Sequence, residues 1–142
     1  LLENLPKATI LHLACHGHQD PEDPLKSGFV LRDKMLTIEE LMHIPLPHAF
    51  MAFLSACETA KGDKAILTMH EISSLKFALI FNRSMEDVDG PIIAKSVYEN
   101  MFAGDAGHIS PDDVAYALDE AVRALRLTQA DPSRWAPYIH LG

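Results

Sequence analysis

Two short stretches of the sequence combine residue types that can perform nucleophilic catalysis. The apolar run LHLA is followed by Cys15, His16, Gly17 and His18, and the later apolar run MAFLSA is followed by Cys57. A cysteine becomes a strong nucleophile where a nearby base favours its thiolate, and a histidine can supply that base and later protonate a leaving amine. We therefore predict that His16 and Cys57 form a catalytic pair.

Gly17 adds a second part to the predicted site. Because glycine has no side chain, its backbone N–H can approach a reacting carbonyl group closely. Together with the backbone N–H of Cys57, that of Gly17 would form an oxyanion hole, which stabilises the negative charge of a tetrahedral intermediate. The predicted chemistry is acyl transfer, which requires no cofactor.

Each residue of this site also has a simpler interpretation. Cys57 could be a packed core thiol, since free cysteine is among the most buried residue types. His18 could join both cysteines as a zinc ligand, but the spacing matches no standard closed zinc site, which needs two close pairs of ligands. We therefore predict that no metal is bound. Cys15 is interpreted as structural and His12 as a histidine of the sheet.

Other polar residues receive no catalytic role. Glu58 and Asp63 follow Cys57 and could orient His16 or shape a pocket for a basic residue, but acidic loop residues are usually solvated. The acidic run EDVD, Glu86 to Asp89, is predicted to interrupt the secondary structure and to cap the next helix. The five remaining histidines share no motif and are predicted to be surface or loop residues: His43, His48, His70, His108 and His140.

The elements that must position the candidate pair follow from the apolar pattern. Ala8–Cys15 and His48–Cys57 are short apolar runs, which are typical of buried parallel strands. Between them, Thr37 and Glu40 have the spacing of a capping box, which predicts a short helix. Strand, helix and strand in this order predict a parallel crossover. Since functional groups gather at the carboxyl ends of parallel strands, the pair is expected to face one crevice.

The rest of the chain adds further predicted elements. GFVLRD, close to the histidines, predicts a small hairpin arm, and FALIF predicts a strand. One helix is predicted to begin after Gly90 and another after its cap Ser110, while WAPYIHLG predicts a final strand. The helix residues predicted to be buried are Val97, Met101, Val114, Leu118, Ala121, Val122 and Leu125.

Composition and charge limit the classes of function. With 142 residues, of which 48% are hydrophobic, residues 1–142 are predicted to form a single domain with a sizeable core. The net charge of −8 argues against nucleic acid or anionic membranes as partners, because these require clustered Lys and Arg. No stretch has the length of a membrane span or the pattern of a secretory signal. We therefore expect a cytoplasmic protein whose two cysteines stay reduced.

The strand followed by HG and the strand followed by SACET together resemble the CHAT domain, a caspase-like cysteine peptidase family related to separases. The resemblance extends over LHLACHGHQDPEDPLKSGFVLRD, FLSACETAKGD, SMEDVDGPIIAKSVYENMF and RWAPYIHLG. It implies that His16 and Cys57 are a catalytic dyad in a caspase-like α/β/α sandwich built on a mostly parallel sheet. It also implies a protein as substrate or partner, and attachment to tetratricopeptide repeats that control access.

The sequence departs from the family pattern in two places. Only seven residues, LLENLPK, precede the first predicted strand, so we expect that the N-terminal part of the domain is missing and that the chain is a fragment of a longer protein. Residues 64–85 form an atypical core segment, in which Arg83 stands where an apolar residue or tryptophan is usual. We predict a cysteine endopeptidase; the alternative is a catalytically inactive CHAT-like interaction module.

Overall fold

The computed structural model describes residues 3–55, 78–81, 88–103 and 109–141 of the chain. The strands in these residues are β1 (Ile10–Ala14), β2 (His16–His18), β3 (Gly28–Val30), β4 (Met35–Thr37), β5 (Met51–Ser55), β6 (Ala78–Phe81) and β7 (Ile139–Leu141). The helices are α1 (Ile38–Met42), α2 (Asp89–Phe102), α3 (Pro111–Thr128) and α4 (Pro132–Trp135). Two short 3-10 helices lie at Leu5–Lys7 and Pro24–Lys26.

A four-stranded sheet, the main sheet, has the strand order β1-β5-β6-β7. Strands β1, β5 and β6 are parallel, and β7 pairs antiparallel with β6. The two strands that carry the candidate pair are neighbours, in a register that places Ile10 opposite Met51 and Ala14 opposite Ser55. The strands predicted from the apolar runs, from FALIF and from WAPYIHLG are therefore confirmed, with shorter bounds at their ends.

Helix α1 lies between β1 and β5 in the chain and begins at the predicted capping box. The Thr37 hydroxyl accepts a hydrogen bond from the Glu40 N–H at 3.1 Å, and the Glu40 carboxylate accepts one from the Thr37 N–H at 3.2 Å. Two backbone donors that the first helical turn leaves free are satisfied in this way. The predicted strand, helix, strand crossover is confirmed.

A second, smaller sheet consists of β2, β3 and β4, which are antiparallel. The predicted hairpin arm is its β3–β4 pair, and the turn is closed by a hydrogen bond from the Leu31 N–H to the Lys34 carbonyl at 2.9 Å. Gly28 permits the close approach of these strands, because a Cβ atom there would lie 2.7 Å from the Cα of Thr37.

Apolar side chains cover both faces of the main sheet, as the alternation of side chains along a strand requires. On one face, Leu11, Leu13 and Leu54 pack with Phe29 and Leu36 of the small sheet and with α1. The opposite face packs against α2 and α3, and its cluster includes Met51, Phe53, Ile93, Val97 and Val114. The main sheet is thus a central layer between two apolar clusters.

Helices α2 and α3 follow the predicted pattern closely. Helix α2 begins at Asp89, two residues before the expected start, and α3 begins at a capping box formed by Ser110 and Asp113. Val122 was predicted to be buried and is only partly buried. Ala117 is buried, although the prediction did not include it. The others are buried as expected: Val97, Met101, Val114, Leu118, Ala121 and Leu125.

The α/β class and the mostly parallel sheet are confirmed. In the described residues, helices α2 and α3 cover one face of the main sheet, whereas the other face carries the small antiparallel sheet and the five-residue helix α1. In a plain α/β/α sandwich, helices alone would cover this face. Here the layer on this face contains both a helix and a small sheet. The caspase-like arrangement and the single domain remain predictions. Within the part of the chain that the structure describes, no helix is both long and apolar enough to span a membrane.

Candidate functional site

His16 lies where the chain leaves the main sheet and enters the small sheet. The hydrogen-bond ladder between β1 and β5 continues one residue beyond Ala14, since the Cys15 N–H donates to the Ser55 carbonyl at 3.2 Å. His16 follows as the first residue of β2 and pairs with Val30 of β3. The carboxyl ends of β1 and β5 thus meet at one edge, with His16 directly beyond β1.

The His16 side chain is exposed, whereas Gly17 is partly buried. Gly17 pairs with Phe29, which is fully buried, so Gly17 lies on the inward side of the small sheet. Among the described residues, no side chain forms a hydrogen bond with the His16 ring. The imidazole is accessible to a substrate.

The loop after His18 is fixed by a dense set of short-range hydrogen bonds. The Asp20 carboxylate accepts bonds from the N–H groups of Asp23 at 2.8 Å and Glu22 at 2.9 Å, and these bonds lower the pKa of Asp20. The Asp20 N–H donates to the hydroxyl of Ser27 at 3.0 Å, and Ser27 is buried. These contacts hold the start of β3 beside β2, and therefore set the surroundings of His16.

Cys57 lies outside the described residues, as do Glu58, Asp63, His70 and His108. The dyad of His16 and Cys57 therefore stays a prediction. The oxyanion hole that includes the Cys57 N–H also stays a prediction. In the sequence, Cys57 stands two residues after Ser55, just as His16 stands two residues after Ala14.

Cys15, the other cysteine, has the surroundings of a structural thiol. It is partly buried and packs against the cluster that joins the main sheet to the small sheet. Burial raises the pKa of this thiol above its ordinary value. Because the thiolate is the nucleophilic form, the thiol of Cys15 is a poor nucleophile at neutral pH.

His12 is a histidine of the main sheet, as predicted, and it has a polar partner that the sequence did not reveal. Its Nδ1 atom forms a hydrogen bond with the Tyr98 hydroxyl at 2.9 Å. Its ring lies 4.7 Å from that of Phe53 and 5.7 Å from that of Tyr98, measured between centroids. Desolvation lowers the pKa of His12, which favours the neutral ring. His12 joins β1 to α2.

Comparison with known proteins identifies the family. The family model of the CHAT domain matches residues 1–82, which is more than half of the chain. The chain belongs to the CHAT domain family. The match includes the HG and SACET motifs, whereas the stretches SMEDVDGPIIAKSVYENMF and RWAPYIHLG lie beyond it. No curated protein matches the chain. The CHAT domain family is related to caspase-like peptidases.

In this CHAT domain chain, a buried ion pair forms at the same edge of the main sheet. Arg134 of α4 binds both carboxylate oxygens of Asp89, through its Nε atom and, at 2.6 Å, through its Nη2 atom. Asp89 is buried, and neighbouring Tyr138 has a raised pKa because of burial and the Asp89 charge. Since Ile139 pairs with Phe81, this cluster lies at the carboxyl end of β6.

The prediction that the run EDVD caps the next helix is not confirmed at Asp89, and Glu86 and Asp87 of that run lie outside the described residues. Asp89 is the first residue of α2, and its helix has no side-chain cap bond at the preceding residue, Val88. The carboxylate instead faces inward, where the guanidinium of Arg134 compensates its charge. No local pattern could have shown this, because the two residues are distant in the sequence.

The remaining histidines of the CHAT domain chain divide between two environments. His43 and His48 are exposed, as predicted. His140 lies in β7 instead of a loop, and burial lowers its pKa, so its prediction as a surface or loop residue is wrong. Among the described residues, no group of three or more His, Cys, Asp and Glu could hold a metal ion.

Proposed function

We propose that this CHAT domain chain is a cysteine endopeptidase that uses His16 and Cys57 as a dyad. The observation that carries the proposal is the parallel pairing of β1 with β5, in which Ala14 lies opposite Ser55. Each member of the dyad follows its strand by two residues in the sequence, and His16 lies at the edge where the strands end; the proposal assigns Cys57 to the same edge. A caspase-like sandwich is the form of the fold that we propose with this activity.

Each residue has a defined role in the proposed reaction. His16 removes the proton from the Cys57 thiol, and the thiolate sulfur attacks the carbonyl carbon of the substrate peptide bond. The N–H groups of Gly17 and Cys57 stabilise the oxyanion of the tetrahedral intermediate. The C–N bond then breaks, His16 gives its proton to the leaving amine, and water hydrolyses the thioester to release the acid and the free thiol.

Two properties of the described residues support this assignment. The His16 ring is exposed, and so remains available for proton transfer. Of the two cysteines in the chain, Cys15 is disfavoured as a nucleophile because burial raises its pKa. The role of nucleophile therefore falls to Cys57.

The test is covalent labelling of the full-length protein with a library of peptidyl electrophiles, mapped by mass spectrometry. We expect one label, on Cys57, that is lost in a Cys57→Ala variant and kept in a Cys15→Ala variant. A His16→Ala variant is expected to slow the labelling about 100-fold, the lower end of the usual contribution of a general base.

Two outcomes would contradict the proposal. Labelling of Cys57 at the same rate in the His16→Ala variant would show that no dyad operates. A folded protein in which no electrophile labels Cys57 would assign the chain to the alternative class, the inactive interaction module.

A further inference from the structure

A row of exposed residues crosses the small sheet and begins at His16. His16 pairs with Val30, and Val30 pairs with Met35 on the next strand. Directly paired residues of antiparallel strands project from the same face of the sheet. All three are exposed, Val30 to 45% and Met35 to 37%. We call this set, His16, Val30 and Met35, the outer row.

The outer row contrasts with the row beside it. Gly17, Phe29 and Leu36 are paired in the same way, and both large side chains of this inner row are fully buried. The inner row therefore supplies the apolar contacts that attach the small sheet to the main sheet. The solvent face of an antiparallel sheet is usually polar, so two large apolar side chains in the outer row are not required by the fold.

The outer row has the dimensions of a side-chain subsite. Neighbouring strands are about 5 Å apart, so Val30 lies about 5 Å and Met35 about 10 Å from His16 along the sheet. Two exposed side chains are far too few for an interface between proteins, which takes about 800 Å² from each partner. They suffice to cover one apolar side chain of a bound peptide.

The charges of the adjoining turn do not favour an ionic substrate residue. The β3–β4 turn carries Arg32, Asp33 and Lys34, which have both signs of charge. Lys34 is already paired with Glu40 at 2.8 Å. An apolar substrate residue is therefore the better match to the outer row.

The direction of proton transfer decides which substrate residue this is. His16 must reach the nitrogen atom that leaves when the peptide bond breaks. That nitrogen belongs to the residue that follows the scissile bond, so the side chain of this residue lies closest to the neighbours of His16. We propose that Val30 and Met35 form the subsite for an apolar residue immediately after the scissile bond. This inference rests on the proposed function.

The experiment uses the full-length protein and a peptide that it cleaves, found in a peptide library. Variants of this peptide differ only in the residue after the scissile bond, and we compare kcat/KM for leucine with kcat/KM for serine at that position. We expect a preference of about tenfold for leucine, the size produced by burying roughly 50 Å² of apolar surface. Val30→Thr and Met35→Gln variants, which keep the shape of each side chain, are expected to reduce the preference at least threefold.

Three controls accompany these variants. Met35→Leu keeps an apolar side chain and should keep the preference. Ile92→Gln changes an apolar residue of α2 that is 54% exposed and lies outside the outer row, so it should also keep the preference. The third control is the rate at which a peptidyl electrophile labels Cys57, because such a reagent has no residue after the reacting carbonyl. This rate should be the same in Val30→Thr as in the unmodified protein.

The labelling rate separates failure of the subsite from failure of the proposed function. Cys57 labelling without any preference for leucine, or with a preference that both variants retain, would overturn the subsite alone. If the rate of Cys57 labelling fell together with the preference for leucine, the subsite would also be overturned, because the variants would then be disturbing His16 itself. Absence of cleavage and of labelling in the folded protein would overturn both proposals.

Discussion

Polar groups have different surroundings on the two sides of the main sheet. On the side covered by α2 and α3, His12 is paired with Tyr98, and the buried Asp89 is paired with Arg134. On the side of the small sheet, the inner row is apolar, and His16 projects from the outer face into solvent. Polar side chains thus join elements on the helix side, whereas the small sheet carries a reactive side chain outward.

This difference follows from the energetic cost of burial. A charge or a polar group that loses water needs a partner of matching chemistry, which the helix side provides for Asp89 and His12. A general base must remain accessible to its substrate, so its side chain belongs on a surface. The small sheet both buries apolar side chains and exposes a general base, because successive residues of one short strand, His16 and Gly17, face opposite directions.

The largest expected effect is on the helix side, from removing one partner of its buried ion pair. An Arg134→Met variant leaves the Asp89 carboxylate buried without its counter-charge, which typically lowers the free energy of unfolding by about 3–5 kcal/mol. We expect about 3 kcal/mol, since Arg134 is 24% exposed. Urea unfolding followed through the fluorescence of Trp135 measures this loss.

A double variant sharpens the same test. Asp89→Leu combined with Arg134→Met removes both charges and should recover most of the lost stability. His16→Ala on the opposite side should leave the unfolding midpoint nearly unchanged, because the ring is exposed. If Arg134→Met were as stable as the unmodified chain, the pair would not hold the helix side together.

Local sequence signals predicted the elements of both sides well. The capping box at Thr37 and the cap Ser110 mark the starts of α1 and α3, and the apolar runs mark β1 and β5. Each of these signals lies within a few residues of the element that it predicts. The expected position of His16 at the end of a parallel strand follows from the same local patterns combined with the crossover rule.

Pairings between distant residues could not be predicted in this way. Asp89 with Arg134 and His12 with Tyr98 depend on how α4 and α2 pack against the sheet, and no local pattern records that packing. The outer row also requires the register of β2, β3 and β4, which the hairpin prediction did not provide. The placement of Cys57 stays a prediction from its sequence alone.

A smaller effect is expected from the hydrogen bond that joins β1 to α2. Tyr98→Phe removes the hydroxyl that bonds to His12 at 2.9 Å but keeps the ring that packs against Phe102. The loss should be about 1 kcal/mol in the free energy of unfolding, which is typical of one such bond. Thermal unfolding of this variant measures the loss, with Tyr116→Phe, a change at a 73% exposed tyrosine, as its control. Equal losses in the two variants would contradict a specific role for the bond.

The smallest expected effect is a pH dependence that belongs to the helix side. Burial lowers the pKa of His12 and of His140 below 6.5, so below that pH the unfolded chain binds more protons than the folded one. The free energy of unfolding should therefore fall as the pH is lowered from about 7 to about 5, a range in which carboxylates remain ionised. His12→Phe should reduce this slope and leave the part due to His140. If the slope of the free energy of unfolding against pH were the same in His12→Phe, folding would not lower the pKa of His12, and this prediction would be wrong.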